Sequence, residues 1–251
     1  MGEAMIKSTA SAVVVGAALL ALSGCSQPAQ PSAAEGTGAT GTPVVWASAL
    51  DRYASDTVND WATNADAVAD VSVVDETALP PTDSEVSRGE GLIGRRLNLQ
   101  INDVLWDNPG TDATLPKTIE LKAFGWTFKG NGADRTTARL AARDTSRLEV
   151  GHRYVMGLVL LPAECSGNET NPAAWASIGS SGVVPFDNKV WGAGEYQGSI
   201  VTSMPALVKA DNDPETFRDV VATRGVATLP RLLAEATPRT RTSFGNECPG
   251  T

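Results

Sequence analysis

The chain is short of the side chains from which most catalytic and metal centres are built. Its 251 residues contain one histidine, His152, and three cysteines, Cys25, Cys165 and Cys248. A structural or catalytic zinc site needs three or four nitrogen and sulfur ligands, and this set does not supply them. A Ser-His-Asp arrangement would have to use His152. No nucleophile elbow accompanies it, because Gly179-Ser180-Ser181-Gly182 lacks the G-x-S-x-G spacing. Gly192-Ala193-Gly194 is a glycine pair without a third glycine, so a dinucleotide site is not indicated. Asp211-Asn212-Asp213-Pro214-Glu215 offers oxygen ligands but not the remainder of a calcium loop, and reads as a helix start. Neither metal nor cofactor is expected.

Basic charge is also scarce. Lys and Arg number 20 against 29 Asp and Glu, a net charge of −9, and the pI is about 4.7. A nucleic-acid partner would require a basic surface and is not expected. Long apolar runs are missing as well. The one near the N-terminus, Ala10 to Leu22, is interrupted by Ser11 and Gly16. It is too short to cross a hydrocarbon core, which takes roughly 20 apolar residues, and it ends on small residues as a signal-peptide h-region does.

The four residues that close this run, Leu22-Ser23-Gly24-Cys25, resemble the lipobox of bacterial lipoproteins. The resemblance covers residues 1–25 and implies a signal peptide over 1–24. It also implies diacylglycerol on the Cys25 sulfur, further acylation such as palmitate, and an extracytoplasmic domain held to the cell membrane by lipid. Two acyl chains suffice for stable anchoring, since each buried methylene contributes about 0.8 kcal/mol. Glu3 and Lys7 cancel, so cleavage leaves the net charge at −9. With Cys25 lipidated, Cys165 and Cys248 form an even pair in a disulfide-permissive compartment and are expected to be bonded. That bridge would close a loop of about 80 residues and contribute roughly 4 kcal/mol by chain entropy.

Residues 26–43 have no large apolar side chain and read as a flexible tether. A single β-rich domain is expected over 44–251. Trp46, Leu50, Tyr53, Val58 and Trp61 recur at spacings of three to five and predict one or two short helices. Val68 to Val74 predicts a strand stopped by Pro80-Pro81, and Leu97, Leu99 and Ile101 alternate with polar residues as a second. Ile119 to Phe128 makes a third, followed by the Asn131-Gly132 turn. Tyr154 to Leu161 is apolar on both faces and predicts the central strand. Shorter strands are expected at 175–178, 183–186, 190–191 and 196–202, with a turn at Asp187-Asn188. Two helices should follow, one capped by Asp213 with Pro214 at its first position, the other over Leu229 to Ala236. The fold class is mainly β: a small barrel with a weak resemblance to secreted OB-type domains, or a sandwich, with short helices at each end.

Arg135, Arg139, Arg143 and Arg147 repeat every four residues and on a helix would share one face. They could contact anionic headgroups or a phosphate-bearing wall polymer, or pair with the acidic stretch 51–90, which holds ten carboxylates against Arg52 and Arg88. Asn168-Glu169-Thr170 matches a glycosylation sequon, which a bacterial lipoprotein would not use. Trp61, Trp106, Trp126 and Trp175 fall at apolar periodic positions and are expected in the core. His152 should serve to open the central strand. The functional expectation is therefore a non-catalytic binding or interaction module of the cell envelope. The alternative is a hydrolase using two inward carboxylates about 5–10 Å apart.

Overall fold

The computed structural model describes residues 35–37, 43–47, 51–142, 145–166, 169–196, 199–205 and 216–243, all within the unit Ala33–Thr251. Cys25, Arg143, Asn168, Asp213, Pro214 and Cys248 lie outside the described residues. The strands are β1 (Glu35–Thr37), β2 (Pro43–Ala47), β3 (Ala67–Leu79), β4 (Glu90–Asp107), β5 (Thr118–Lys129), β6 (Thr136–Ala142), β7 (Arg153–Leu161), β8 (Glu164–Ser166), β9 (Glu169–Asn171), β10 (Ala174–Ser177), β11 (Val183–Pro185), β12 (Ala193–Tyr196) and β13 (Ser199–Thr202). The helices are α1 (Val58–Asn64), α2 (Asp83–Arg88), α3 (Phe217–Arg224) and α4 (Leu229–Glu235).

β7 is the central strand the sequence predicts. It pairs antiparallel with β3 along one edge, and with β10 and β11 in succession along the other. The full sheet has nine strands in the order β1-β2-β6-β5-β4-β3-β7-β10, with β11 also on β7. It is mixed, because β2 runs parallel to β6 while its other pairs are antiparallel. Register shifts along the β3-β4 ladder leave Leu105 and Asn102 extra on β4 and Val74 extra on β3, as bulges do.

The two faces of β7 carry two cores. Tyr154, Met156 and Leu158 join Val71, Leu97, Leu99, Ile119 and Leu121 on the inner face. Val155 and Val159 face Trp61, Phe217, Leu229 and Leu233 beneath α1, α3 and α4. The rings of Trp61 and Phe217 stack at 3.9 Å and 13°, which ties the last helices to the first. Gly157 makes this approach possible, since a Cβ there would sit 2.6 Å from Ile178 Cδ1 and 3.3 Å from Trp61 Cε3.

Among the described residues the sheet does not close. β5 between Thr118 and Phe124 pairs only with β4, and β10 pairs only with β7. A barrel requires the last ladder to meet the first. Here Trp175 of β10 packs into the inner core instead of β10 pairing with β5. The expectation of a small barrel or sandwich therefore reduces to a mainly β fold with one mixed sheet and short helices.

Several local expectations shift. Glu35–Thr37, expected in the tether, pairs antiparallel with β2. Val45-Trp46, expected to open a helical stretch, is strand, because β-branched residues between β1 and β6 find a ladder on both sides. α1 starts later, on a capping box in which Asp60 N donates to Thr57 Oγ1 and Thr57 N donates to Asp60 Oδ2. α3 is capped by Thr216 rather than Asp213, with Asp219 N donating to Thr216 Oγ1. Val190-Trp191 forms no strand; the hairpin there is β12-β13. The acidic stretch 51–90 is used by arginines outside the four-residue repeat. Asp60 pairs with Arg239, Asp70 with Arg153, Glu76 with Arg95, and Asp66 with Arg241 at 2.8 Å.

Candidate ligand cleft

The site begins with a bulge. Between Ile93 and Gly94 the β4-β5 register slips by one residue, leaving Gly125 extra on β5. A Cβ at Gly125 would lie 2.3 Å from Ile93 O and 2.9 Å from Arg95 Cγ, so the close crossing needs glycine. The slip leaves the carbonyl of Phe124 free to accept from two guanidinium groups: Arg95 Nε at 2.8 Å and Arg147 Nη1 at 2.9 Å. Arg147 Nη1 also donates to Leu140 O of β6 at 3.3 Å. β6 is paired to β5 from Trp126 to Lys129 and then departs. The Arg147 side chain bridges the two strands where their ladder stops.

The segment carrying Arg147 is pinned residue by residue. Ser146 Oγ donates to Val183 O at 3.2 Å, Tyr154 Oη donates to Arg147 O at 3.1 Å, and Arg95 Nη1 donates to Leu148 O at 2.7 Å. Glu149 N donates to Tyr154 Oη at 3.1 Å. Burial and the nearby Glu195 carboxylate push the Tyr154 phenol up, which keeps it neutral. Charge is gathered here: Arg95 pairs with Glu76 at 2.7 Å, Arg147 Nε lies 2.7 Å from Glu149 Oε1, and Arg139 pairs with the same carboxylate. Three guanidinium groups thus share two carboxylates. The side chains of Arg95 and Arg147 are only 1% and 4% exposed. Burial first, and then the like charge of Arg95, pushes the Arg147 guanidinium down to about 10, so it remains charged at neutral pH.

Above this floor lies a cleft of about 1360 Å³. One wall is the unpaired edge of β5 with β6, contributing Leu121, Ala123, Phe124 and Ala141; the other is β10 with Trp175. Its volume exceeds the ~300–1,000 Å³ common for small-molecule sites. Phe124, 45% exposed, is among the residues that line the cleft. Among the described residues Asp51, Glu120 and Glu164 are the carboxylates on the walls; Asp51 and Glu164 are engaged, whereas Glu120 is largely exposed. Asp51 accepts from Ser180 N at 2.9 Å and Ser180 Oγ at 2.6 Å, Glu164 pairs with Arg52 at 2.6 Å, and Glu120 lies 3.8 Å from Arg96.

The four-residue arginine repeat is not a helix. Arg135 follows a short turn and lies over the Phe128 ring, Arg139 is in β6, and Arg147 is in the buried floor segment over Trp126. Arg139 and Arg147 meet at Glu149, outside the acidic stretch. Arg143 lies outside the described residues. The sequence reading missed Arg95, although it shares parity with Leu97 and Leu99 and so belongs to the inward face of β4. Of the four tryptophans, Trp61 is fully buried, whereas Trp175 stands half-buried on the cleft wall.

His152 precedes β7, and its Nδ1 lies 2.6 Å from Asp187 Oδ2, while Asp187 Oδ1 accepts from Arg153 N at 2.7 Å. The pair therefore fastens the turn at Asp187 to the start of β7. Cys165 lies in β8. Cys248, its expected partner, and Cys25 lie outside the described residues. Among the described residues no group of three or more His, Cys, Asp and Glu could hold a metal, and no helix is long and apolar enough to cross a membrane. No protein-family model, curated protein or solved structure matches the chain.

Proposed function

We propose that this chain is a lipid-anchored envelope lipoprotein, held at the membrane through Cys25, whose domain is a non-catalytic binding module with the β5-β10 cleft as its ligand site. The observation that carries the reading is the chemistry of the cleft. Its walls are largely apolar, its floor holds two buried arginines, and among the described residues two of the three wall carboxylates, Asp51 and Glu164, are tied to donors from the chain. Apolar lining with a few fixed polar groups is what a binding pocket requires. A pair of carboxylates free to exchange protons, which the alternative of an envelope hydrolase needs, is not what these contacts favour. The strand order β5-β4-β3-β7-β10, with β5 and β10 on opposite walls, supports reading the fold as a split barrel of the OB type that uses its seam for binding.

Two measurements test the proposal. Wild-type protein should partition into the detergent phase of a Triton X-114 extract and Cys25→Ala into the aqueous phase; a variant that stays in the detergent phase overturns the anchor. Native mass spectrometry of the wild type extracted from membranes should show a non-covalent adduct that Phe124→Asp loses. An adduct equally abundant in both proteins places the ligand elsewhere and overturns the cleft.

A further inference from the structure

The geometry points to an amphiphile with a single-chain apolar body and one anionic head group as the occupant of this cleft, the head group seated at Arg147 and Arg95. This inference rests on the cleft being the binding site. Among the described residues, no hydrogen bond is formed by Nη2 of either arginine; Arg95 Nε and Nη1 and Arg147 Nη1 donate to carbonyls or a carboxylate, and Arg147 Nε lies 2.7 Å from Glu149 Oε1 without hydrogen-bonding it. Both side chains line the cleft. The protein therefore holds two forked donors in fixed positions and leaves one nitrogen of each for a ligand. Arg95, Arg139 and Arg147 face Glu76 and Glu149, and the buried Glu195 also acts on Arg147, so charges of both signs are packed together at the floor. Burial first, and then the like charge of Arg95, lowers the Arg147 pKa, and an anion beside it would offset the second of these. Charge-assisted hydrogen bonds from guanidinium to carboxylate or phosphate are about twice as strong as neutral ones.

The remainder of the cleft asks for an apolar body. Leu121, Ala123, Ala141, Phe124 and Trp175 form the walls around the floor. A peptide is the competing occupant, because the edges of β5 and β10 lack ladder partners on the cleft side. It is disfavoured by Pro116 and Pro172, which line the cleft beside those edges and cannot donate to an added strand. Trp175, which packs into the inner core, further occupies the space between the edges.

The test is a fluorescence titration of the purified protein with cis-parinaric acid, an 18-carbon fatty acid whose emission rises in apolar surroundings. Saturable binding is expected, with displacement by palmitate and by hexadecyl phosphate, and the order of these two competitors decides between a carboxylate and a phosphate as the head group. Monopalmitoyl glycerol, with the same chain and no charge, should compete at least tenfold more weakly. Arg147→Met should weaken parinarate about tenfold or more. Phe124→Asp, at an exposed position that leaves the core intact, should do the same and stands in should the Arg147 variant not fold. Equal competition by the uncharged monoglyceride overturns the anionic head group while leaving the cleft as a binding site. Absence of saturable parinarate binding, or a co-purifying adduct whose mass is that of a peptide, overturns the amphiphile; in the peptide case the binding module itself stands.

Discussion

Arg147 Nη1 donates to the main-chain oxygen of Phe124 at 2.9 Å, across the gap where β6 leaves β5. The side chain thereby replaces part of a ladder that the backbone has given up. Arg147→Met should remove this bond and the one to Leu140 O, and leave Glu149 with one arginine instead of two. Breaking a buried charge cluster from one side costs about 3–5 kcal/mol. Arg147→Lys should lose less, because an ammonium keeps the charge and loses only the planar fork and the Nε beside Glu149. Urea unfolding checks both, as a lowered midpoint at unchanged slope.

Tyr154 gives the fold a sensitivity to alkaline pH. Its folded pKa is raised above the unfolded value near 10, mainly by burial. Above that pH the unfolded chain loses the phenolic proton while the folded chain keeps it. Stability therefore falls as pH rises past about 10, by up to about 1.4 kcal/mol per pH unit. Tyr154→Phe should be less stable at neutral pH by about 1–2 kcal/mol, from the lost bonds to Arg147 O and Glu149 N. Its alkaline slope should be shallower. Arg147, pushed down to about 10, contributes to both proteins, so the difference between their curves isolates the phenol. Parallel curves from pH 9 to 11 would refute this assignment.

Two glycines one strand apart should answer differently to alanine. At Gly125 the new methyl group would meet Ile93 O at 2.3 Å, whereas at Gly94 its nearest neighbour is Leu79 Cδ1 at 3.5 Å. Gly125→Ala is expected to cost about 2–4 kcal/mol and to disturb the paired donors on Phe124 O, while Gly94→Ala should change stability by under about 1 kcal/mol. Thermal melts of the two variants make the comparison.

Cys165 is expected to be bonded to Cys248. Non-reducing peptide mapping should recover the fragments containing them as one disulfide-linked species, and reduction should lower stability by roughly 4 kcal/mol. Recovery of Cys248 as an alkylated free thiol would sink the pairing.

Much of the fold was legible in the sequence because it depended on local pattern. The double-sided apolar run at Tyr154 marked β7 as central, since a strand buried on both faces has no need to alternate. The alternation through Leu97 and Ile101 marked β4, and Pro80-Pro81 marked the end of β3. The N-terminal readings failed where pairing outweighed spacing. Trp46 fits a helical period with Tyr53 and Trp61, yet Val45-Trp46 became strand because β1 and β6 offer it ladders. The cap of α3 moved to Thr216, a competent N-cap three residues beyond Asp213.

The candidate site was scarcely legible, and the arginines show why. A four-residue period is a statement about one helix, but Arg139 sits on a strand and Arg147 on a pinned segment, and a shared carboxylate, Glu149, brings them together. Arg95 could have been placed inward by parity with Leu97 and Leu99. That it meets Arg147 at the carbonyl of Phe124 depends on the one-residue slip at Gly125, which only the pairing of β4 with β5 reveals. The sequence alone therefore determined the central strand, the scarcity of imidazole and thiol ligands, the acidic balance and the expectation of an N-terminal anchor at Cys25. Whether the sheet closes, and which charges gather where it does not, was decided by tertiary structure, because edges and bulges are properties of pairs of strands and no single segment encodes them.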